Sequence, residues 1–132
     1  MERFSFDTLH AEFRRILVDV GFAAERGDAC ARLFAENTCD GVVSHGINRF
    51  PGFVRSCQEG TVVIDAKPEF VTRLGSIEQF DGKSGVGLLN AQFAMDRAVE
   101  IAREHGMGCV GLKNTNHWMR AGSYGLQACE AG

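Results

Sequence analysis

Apolar residues at the start of the chain recur at steps of three and four positions, the spacing of one face of an α-helix. Ser5 is a good N-cap for such a helix, and Gly21 closes it. A second helix is predicted over about residues 23–38, ending before the turn signal Asp40-Gly41. The apolar positions of the first helix are Phe6, Leu9, Phe13, Ile16, Leu17 and Val20.

A polar segment, Ser44–Arg49, follows and is predicted to be a loop. Pro51 fits the first turn of a third helix, because the N–H that proline lacks has no helical partner there. That helix is expected to stop at Gly60. Its first turn leaves free backbone N–H groups beside the loop, and such groups favour an anion.

The pattern changes after residue 60. Thr61–Ile64 is β-prone, and the runs 69–74 and 77–81 on either side of Gly75-Ser76 predict a hairpin. A long helix is predicted over about 88–104. The glycines just before this helix break the strand pattern.

A short apolar strand is predicted over 107–112 and a last helix over 120–130. A strand, a long helix and another strand in succession indicate one β-α-β crossover. We therefore expect an α/β (α+β) protein in two parts, a helical unit over 1–65 and an α/β unit over 66–132.

Composition and charge narrow the classes of partner. The 132 residues are 45% hydrophobic and 23% charged, with a net charge of −3 and no run of Lys or Arg. We therefore expect no nucleic-acid and no membrane partner, and no apolar run approaches the roughly 20 residues of a membrane span. Five cysteines without a C-x-x-C pair argue against a disulfide framework or a metal site. They indicate reduced thiols, mostly in the core, in a cytoplasmic protein.

Three groups in the predicted loop are suited to binding and protonating a small organic acid. Ser44 can donate or accept a hydrogen bond, His45 can carry a proton near neutral pH, and Arg49 can bind a carboxylate. A connecting loop with an ordinary surface His and Arg is the alternative. The spacing alone gives the two interpretations equal weight.

His117 is a second candidate, because it follows the carboxyl end of the predicted strand around Val110. Ligands of open α/β sheets bind at that edge. Asn114 and Asn116 can hold the ring in one tautomer for acid or base work. The alternative is that Asn116 caps the last helix and His117 is solvated. Arg120 is either an anion-binding group or a plain surface arginine.

Other motifs are weaker. Gly82–Gly87 superficially resembles a phosphate-binding loop, but it matches neither G-x-G-x-x-G nor G-x-x-x-x-G-K-[ST], so a turn before a helix is favoured. Ser123 and Tyr124 form no Ser-His-acid set. His10 and His105 are assigned structural roles on predicted helices.

Two stretches resemble the malate/L-lactate dehydrogenase family that lacks the usual Rossmann fold. They are Asp40–Pro51 (DGVVSHGINRFP) and Asn114–Gly125 (NTNHWMRAGSYG), and Gly75–Met95 fits as well. The resemblance covers essentially the whole chain, and Asn48–Pro51 with Trp118–Arg120 is most similar to the family's 2,3-diketo-L-gulonate reductase branch. It implies a helical N-terminal unit followed by the start of a family-specific, non-Rossmann α/β domain.

The resemblance also implies a reaction, the reduction of a 2-keto acid to the 2-hydroxy acid. The first candidate for the substrate is 2,3-diketo-L-gulonate. NADH is the implied cofactor, with NADPH as the alternative, and a homodimer is the implied assembly. His45 and His117 match histidines with proton-transfer roles in the family, and Ser44 and Arg49 match substrate-contacting positions. Arg120 is added as a third substrate-binding candidate. An imidazolium suits this chemistry, because hydride delivery builds negative charge on the ketone oxygen.

Family members are more than twice as long as this chain, and most of their nicotinamide contacts lie beyond the position of Gly132. The resemblance therefore implies an N-terminal fragment that does not turn over alone. Two alternatives stay open. One is another 2-hydroxy-acid dehydrogenase, of the malate, lactate or ureidoglycolate type. The other is a free-standing domain that binds small acids or a partner chain without catalysis.

Overall fold

The described part of the chain, residues 3–132 of this computed structural model, contains helices and one small sheet. Internal contacts divide the chain into two compact units, Met1–Asp65 and Ala66–Gly132. None of the helices in residues 3–132 has the length and apolar composition that spanning a membrane requires. In chain order the elements are α1 (Phe6–Val20), α2 (Ala24–Cys39), a 3₁₀ turn (Val43–His45), α3 (Phe50–Gln58), β1 (Glu69–Leu74), β2 (Ile77–Asp81), α4 (Gly87–His105), β3 (Cys109–Lys113) and α5 (Ala121–Glu130).

Helix α1 begins and ends at the residues that the sequence pattern predicts. The Ser5 hydroxyl accepts a hydrogen bond from the Thr8 amide at 3.1 Å, and Gly21 ends the helix in the left-handed region at φ +119°. Helix α2 lies within one residue of its predicted bounds, and α3 has Pro51 in its first turn. Local capping chemistry therefore accounts for the ends of α1, whereas α2 and α3 have no side-chain N-cap.

Phenylalanines from α1, α2 and α3 form the core of the first unit. The Phe34 side chain is fully buried, and its ring centroid lies 5.1 Å from those of Phe50 and Phe53. Phe13 of α1 stacks on Phe50 with a centroid distance of 4.2 Å. Burial of this much aromatic area stabilises α2 and α3 in the arrangement that carries the loop between them.

The segment Thr61–Ile64 does not form a strand, despite its β-prone residues. The Arg26 guanidinium donates to the Ile64 carbonyl at 2.8 and 3.2 Å, and the Val62 amide donates to the Ser56 carbonyl at 3.2 Å. These bonds hold the segment against α2 and α3 with Val62 buried. Tertiary contacts therefore override its local propensity.

The described residues of the second unit include a three-stranded sheet in the order β1-β2-β3. β1 and β2 form the predicted antiparallel hairpin. β2 and β3 pair in parallel, from Ile77 opposite Cys109 to Asp81 opposite Lys113. Because α4 connects these two parallel strands, the predicted crossover is confirmed. The carboxyl ends of β2 and β3 consequently lie side by side.

All five cysteines are free thiols. Cys30 and Cys57 lie in the core, and burial raises the pKa of Cys57 to about 11 and raises that of Cys30 as well. Both thiols therefore stay protonated near neutral pH and are not activated nucleophiles. The prediction that most cysteines are core residues is wrong, because Cys39, Cys109 and Cys129 lie exposed near the ends of their elements.

Glu78 on β2 is almost completely buried, and Arg97 of α4 neutralises it. The Arg97 Nε and Nη2 atoms donate to the two carboxylate oxygens at 2.7 Å each, which makes a bidentate pair. These hydrogen bonds, with the positive charge behind them, hold the pKa of Glu78 below its usual 4.5. The pair ties α4 to the central strand of the sheet.

We predict that Glu78→Gln makes the stability of the protein less sensitive to acid. Because the pKa of Glu78 is lower in the folded state than in the unfolded state, its contribution is present above about pH 4.5. It is lost as the pH falls through the folded-state value. Thermal unfolding midpoints measured across this range should therefore fall more steeply with acidification for the wild type than for the variant.

Glu100→Gln is the matched control, because Glu100 binds the same Arg97 from an exposed position at 2.7 Å. Its midpoints should follow the wild-type pH dependence. Superimposable profiles for the wild type and Glu78→Gln would show that the buried carboxylate does not contribute to acid sensitivity.

Candidate active site

The loop between α2 and α3 is held on the last turn of α2. The amide of the buried Asn37 side chain donates to the His45 carbonyl at 3.1 Å. The Thr38 hydroxyl accepts from the Ile47 amide at 2.9 Å. Two neighbouring side chains of one helix turn therefore fix the loop backbone on both sides of Gly46.

Gly46 is the point at which this loop touches the helix. A Cβ atom at Gly46 would overlap the Thr38 hydroxyl and would lie 2.7 Å from the Thr38 amide nitrogen. Only glycine allows so close an approach. In the resulting conformation, which includes the 3₁₀ turn Val43–His45, Ser44 is exposed and His45 is half-buried.

Ser44 and His45 are in direct contact. The Ser44 Oγ atom lies 3.0 Å from His45 Nδ1, and either atom can be the donor of this hydrogen bond. A hydroxyl bonded to an imidazole orients the ring, and the imidazole can give or take a proton near neutral pH.

Arg49 lies at the N-cap position of α3 and is exposed. Within residues 3–132, its guanidinium has no hydrogen-bond or ion-pair partner. The Arg49 and Phe50 amides both donate to the Gly46 carbonyl, at 3.0 and 3.1 Å, and Pro51 has no N–H, so the expectation of free amides is wrong at these three positions. The exposed guanidinium is therefore the group at this end of α3 that favours a carboxylate.

The loop after β3, Asn114–Arg120, is called the His117 loop below. Asn114, at φ +50°, donates from its side chain to Asp81 Oδ2 at 3.0 Å, and Asp81 Oδ1 accepts from the Lys83 amide at 2.9 Å. These two hydrogen bonds, the one from the Lys83 backbone first, lower the pKa of Asp81. At neutral pH a charged Asp81 therefore anchors both the His117 loop and the Gly82–Gly87 turn.

Asn116 binds the Gly82–Gly87 turn. Its side-chain amide donates to the Ser84 and Gly85 carbonyls at 2.7 and 3.1 Å. A Cβ atom on Gly87 would overlap the carbonyl oxygens of Asn116 and His117. Helix α5 has no side-chain N-cap, so the interpretation of Asn116 as its cap is wrong. The His117 loop is packed against the start of α4.

The His117 ring is oriented by a backbone amide. The Met119 N–H donates to His117 Nδ1 at 2.8 Å, and Met119 is buried in the left-handed region at φ +63°. Nδ1 is therefore an acceptor, and the neutral ring carries its proton on Nε2. This donor is not among the sequence-based candidates, which are the side chains of Asn114 and Asn116.

Tyr124 is a residue of this region that sequence reasoning does not single out. Its hydroxyl donates to the Trp118 carbonyl at 2.5 Å, and its buried ring stacks on the exposed Trp118 indole with centroids 5.9 Å apart. Tyr124 thus fixes the His117 loop on α5. The sequence feature that could have pointed to Tyr124 is an aromatic residue in the first turns of a helix that directly follows a polar loop.

The candidate residues form two sets. Ser44, His45 and Arg49 lie in the first unit, and His117 and the half-buried Arg120 lie in the second. Beside His117, α4 and β3 line a mostly apolar groove of about 760 Å³. Within residues 3–132, no three His, Cys, Asp or Glu side chains come close enough together to hold a metal ion.

The chain belongs to the malate/L-lactate dehydrogenase family, whose model matches residues 4–132. It is 51% identical to 2,3-diketo-L-gulonate reductase of Citrobacter koseri and 50% identical to that of Escherichia coli K12, in each case over 128 residues. Each match covers 97% of this chain and 39% of the relative. The chain therefore spans about two fifths of the length of these curated relatives.

A solved structure shows the same fold. Malate dehydrogenase of Pyrococcus horikoshii superimposes with a TM-score of 0.93 at 29% identity, over 98% of this chain and 37% of that one. The family resemblance and the α/β fold class expected from the sequence are therefore confirmed. The roles given to Ser44, His45, Arg49, His117 and Arg120 stay predictions.

We predict that Gly46→Ala displaces the loop that carries His45. The new methyl group meets the Thr38 backbone and hydroxyl, so either the loop or the end of α2 must move. We expect a loss of about 1–3 kcal/mol in the free energy of unfolding, as for other overpacked sites. The Ile47 amide should lose its hydrogen bond, which NMR can follow.

Gly52→Ala is the matched control. Gly52 lies in α3, and a Cβ atom there meets no heavy atom within 4 Å. Alanine should keep or raise stability at this helical position, by up to about 1 kcal/mol. Equal stability and an unchanged Ile47 amide in Gly46→Ala would show that the close approach is not needed.

Proposed function

We propose that this chain provides the substrate-binding and proton-donating part of an NAD(P)H-dependent reductase. The substrate is a 2-keto acid, with 2,3-diketo-L-gulonate as the first candidate, and the product is the 2-hydroxy acid. The observation that carries the proposal is the contact of Ser44 Oγ with His45 Nδ1, in a loop that ends at the exposed Arg49. Identities of 50% and 51% to 2,3-diketo-L-gulonate reductases support the choice of substrate.

The residues of the first unit divide the work of holding and protonating the acid. Arg49 binds the carboxylate through two parallel hydrogen bonds. His45, in its protonated form, gives its proton to the carbonyl oxygen as negative charge develops there. The Ser44 hydroxyl keeps the ring in the direction that this transfer needs. A bound dihydronicotinamide, NADH in the first place and NADPH as the alternative, supplies the hydride.

The Gly82–Gly87 turn does not fit the pyrophosphate of such a cofactor. The Lys83 amide donates to the Asp81 side chain, the Ser84 amide to the Asn114 carbonyl, and the Gly85 amide to the Gly82 carbonyl. These amides are therefore engaged within the protein. We assign no cofactor phosphate contact to this turn, which also lacks the dinucleotide fingerprint.

In this proposal His117 and Arg120, in the second unit, are the further candidates for proton transfer and for substrate binding. With its proton on Nε2, the neutral His117 ring is a hydrogen-bond donor to an oxygen that becomes negative. The Met119 amide on Nδ1 supports this role, because it holds the donor tautomer before substrate arrives.

A malate-type substrate is the second candidate, favoured by the TM-score of 0.93 to a malate dehydrogenase.

We also propose that the enzyme works as a homodimer, as the family resemblance implies. A cytoplasmic location is proposed as well, with support from the five free thiols. The remaining alternative is a domain that binds small acids without catalysis.

The test is a hybrid protein in which residues 4–132 replace the matching segment of the Escherichia coli 2,3-diketo-L-gulonate reductase. We expect the hybrid to oxidise NADH with 2,3-diketo-L-gulonate faster than with the keto acid that corresponds to malate. In the hybrid, His45→Gln should lower kcat by about 10²–10⁴-fold. Arg49→Gln should mainly raise KM, and Arg55→Gln, at an exposed position of α3, is the matched control.

The outcomes separate the candidates. A folded hybrid that reduces no 2-keto acid would reject the reductase, and a preference for the malate-type substrate would favour the second candidate. Unchanged kcat in His45→Gln would remove His45 from proton transfer. The 132-residue chain alone should bind the keto acid without steady NADH oxidation, and steady turnover by it would contradict the proposed division of the enzyme.

A further inference from the structure

We propose that Asn90 is a positioning residue for His117, acting through Thr115. Asn90 lies near the start of α4, and only 1% of it is exposed. Its side-chain nitrogen donates to the Thr115 hydroxyl at 2.8 Å and to the Gly82 carbonyl at 3.1 Å. A single buried amide thus binds both the His117 loop and the Gly82–Gly87 turn.

The Gly82–Gly87 turn is shaped around this amide. A Cβ atom on Gly82 would lie 2.8 Å from the Asn90 nitrogen and 2.7 Å from Thr115 Cβ, and one on Gly85 would lie 3.2 Å from the same nitrogen. Gly82 and Gly85 therefore leave room for the amide, and Gly87 leaves room for the carbonyls of the His117 loop. The sequence of the Gly82–Gly87 turn predicts a simple turn before a helix. In the structure its glycines also allow the His117 loop to pack closely against it.

Three contacts fix the backbone that leads into His117. The Thr115 hydroxyl is bonded to Asn90, the Asn116 amide is bonded to the turn, and the carbonyls of residues 116 and 117 rest on Gly87. Together they set the direction in which the His117 side chain leaves the backbone, so that Nδ1 meets the Met119 amide. Because an interior polar group without its partner is costly, the arrangement depends on each of its bonds.

The test uses ring ¹⁵N NMR spectra of His117 in the 132-residue chain, which report the nitrogen that carries the proton. The Nε2–H tautomer should dominate in the wild type. Asn90→Leu removes the amide and Thr115→Val removes the hydroxyl, each at similar volume. Both variants should shift the ring resonances toward a mixture of the two tautomers, with helix content unchanged. Thr115→Ser, which keeps the hydroxyl, should restore the wild-type spectrum.

Thr115→Val decides the matter if Asn90→Leu does not fold, because Thr115 is only half-buried. A wild-type ring spectrum in folded Thr115→Val would overturn the proposal. A mixed-tautomer spectrum in that variant together with a wild-type spectrum in Thr115→Ser would support it. A loss of the single tautomer in Thr115→Ser as well would also overturn it, since the hydroxyl would then not be the element that matters.

The consequence for catalysis rests on the function proposed above. In the hybrid enzyme, Thr115→Val should lower kcat by about 10–100-fold with little change in KM, because a misplaced proton donor affects the chemical step. A changed ring spectrum with unchanged kcat would reject the role of His117 in the reaction and leave the positioning by Asn90 supported. An unchanged ring spectrum would reject the positioning, whatever the activity of the hybrid.

Discussion

At two glycines the backbone packs so closely against a neighbouring segment that no side chain would fit. These two contacts determine where the candidate histidines lie. Gly46 brings the α2–α3 loop onto Thr38 at the end of α2, and Gly87 brings the start of α4 under the carbonyls of Asn116 and His117. A methyl group at either glycine would overlap an oxygen atom. His45 precedes one contact and His117 forms part of the other, so each side chain starts from a backbone that has little freedom to shift.

Buried amides give these contacts their direction. Asn37 and Asn90 are each 1% exposed, and each donates to the loop that carries a candidate histidine. The aromatic core around Phe34 supplies stability through burial of apolar area, but such burial has no preferred direction. A buried amide has one, because its hydrogen bonds form only at one arrangement of donor and acceptor. Core and amides therefore have separate tasks, one holding the helices and the other holding the loops.

The elements that sequence predicts well depend on local signals. Ser5 and Gly21 delimit α1 through capping, and the hairpin follows from two β-prone runs around Gly75-Ser76. The prediction for Asn116 failed because its partners, the Ser84 and Gly85 carbonyls, are about 30 residues away in the chain. No local pattern reveals such a partner.

The candidate site shows the same division. The family resemblance points to His45 and His117 by their motifs, and the close contact of Ser44 with His45 is compatible with their adjacency in the chain. The motifs do not reveal the role of the Met119 amide. Its hydrogen bond to His117 depends on a positive φ at Met119, which nothing in the sequence of this residue predicts. The role of Asn90 could not be predicted from the sequence either, because its partner Thr115 lies 25 residues away in the chain.

We infer that both loops adopt their conformations before any ligand binds, and hydrogen exchange of backbone amides in the 132-residue chain can show whether they do. The Ile47 amide donates to Thr38 Oγ1 and the Met119 amide to His117 Nδ1, although both residues lie in loops. These two amides should exchange as slowly as amides in the middle of α2 and α4. Exchange of either at the rate of an unfolded peptide would contradict the claim.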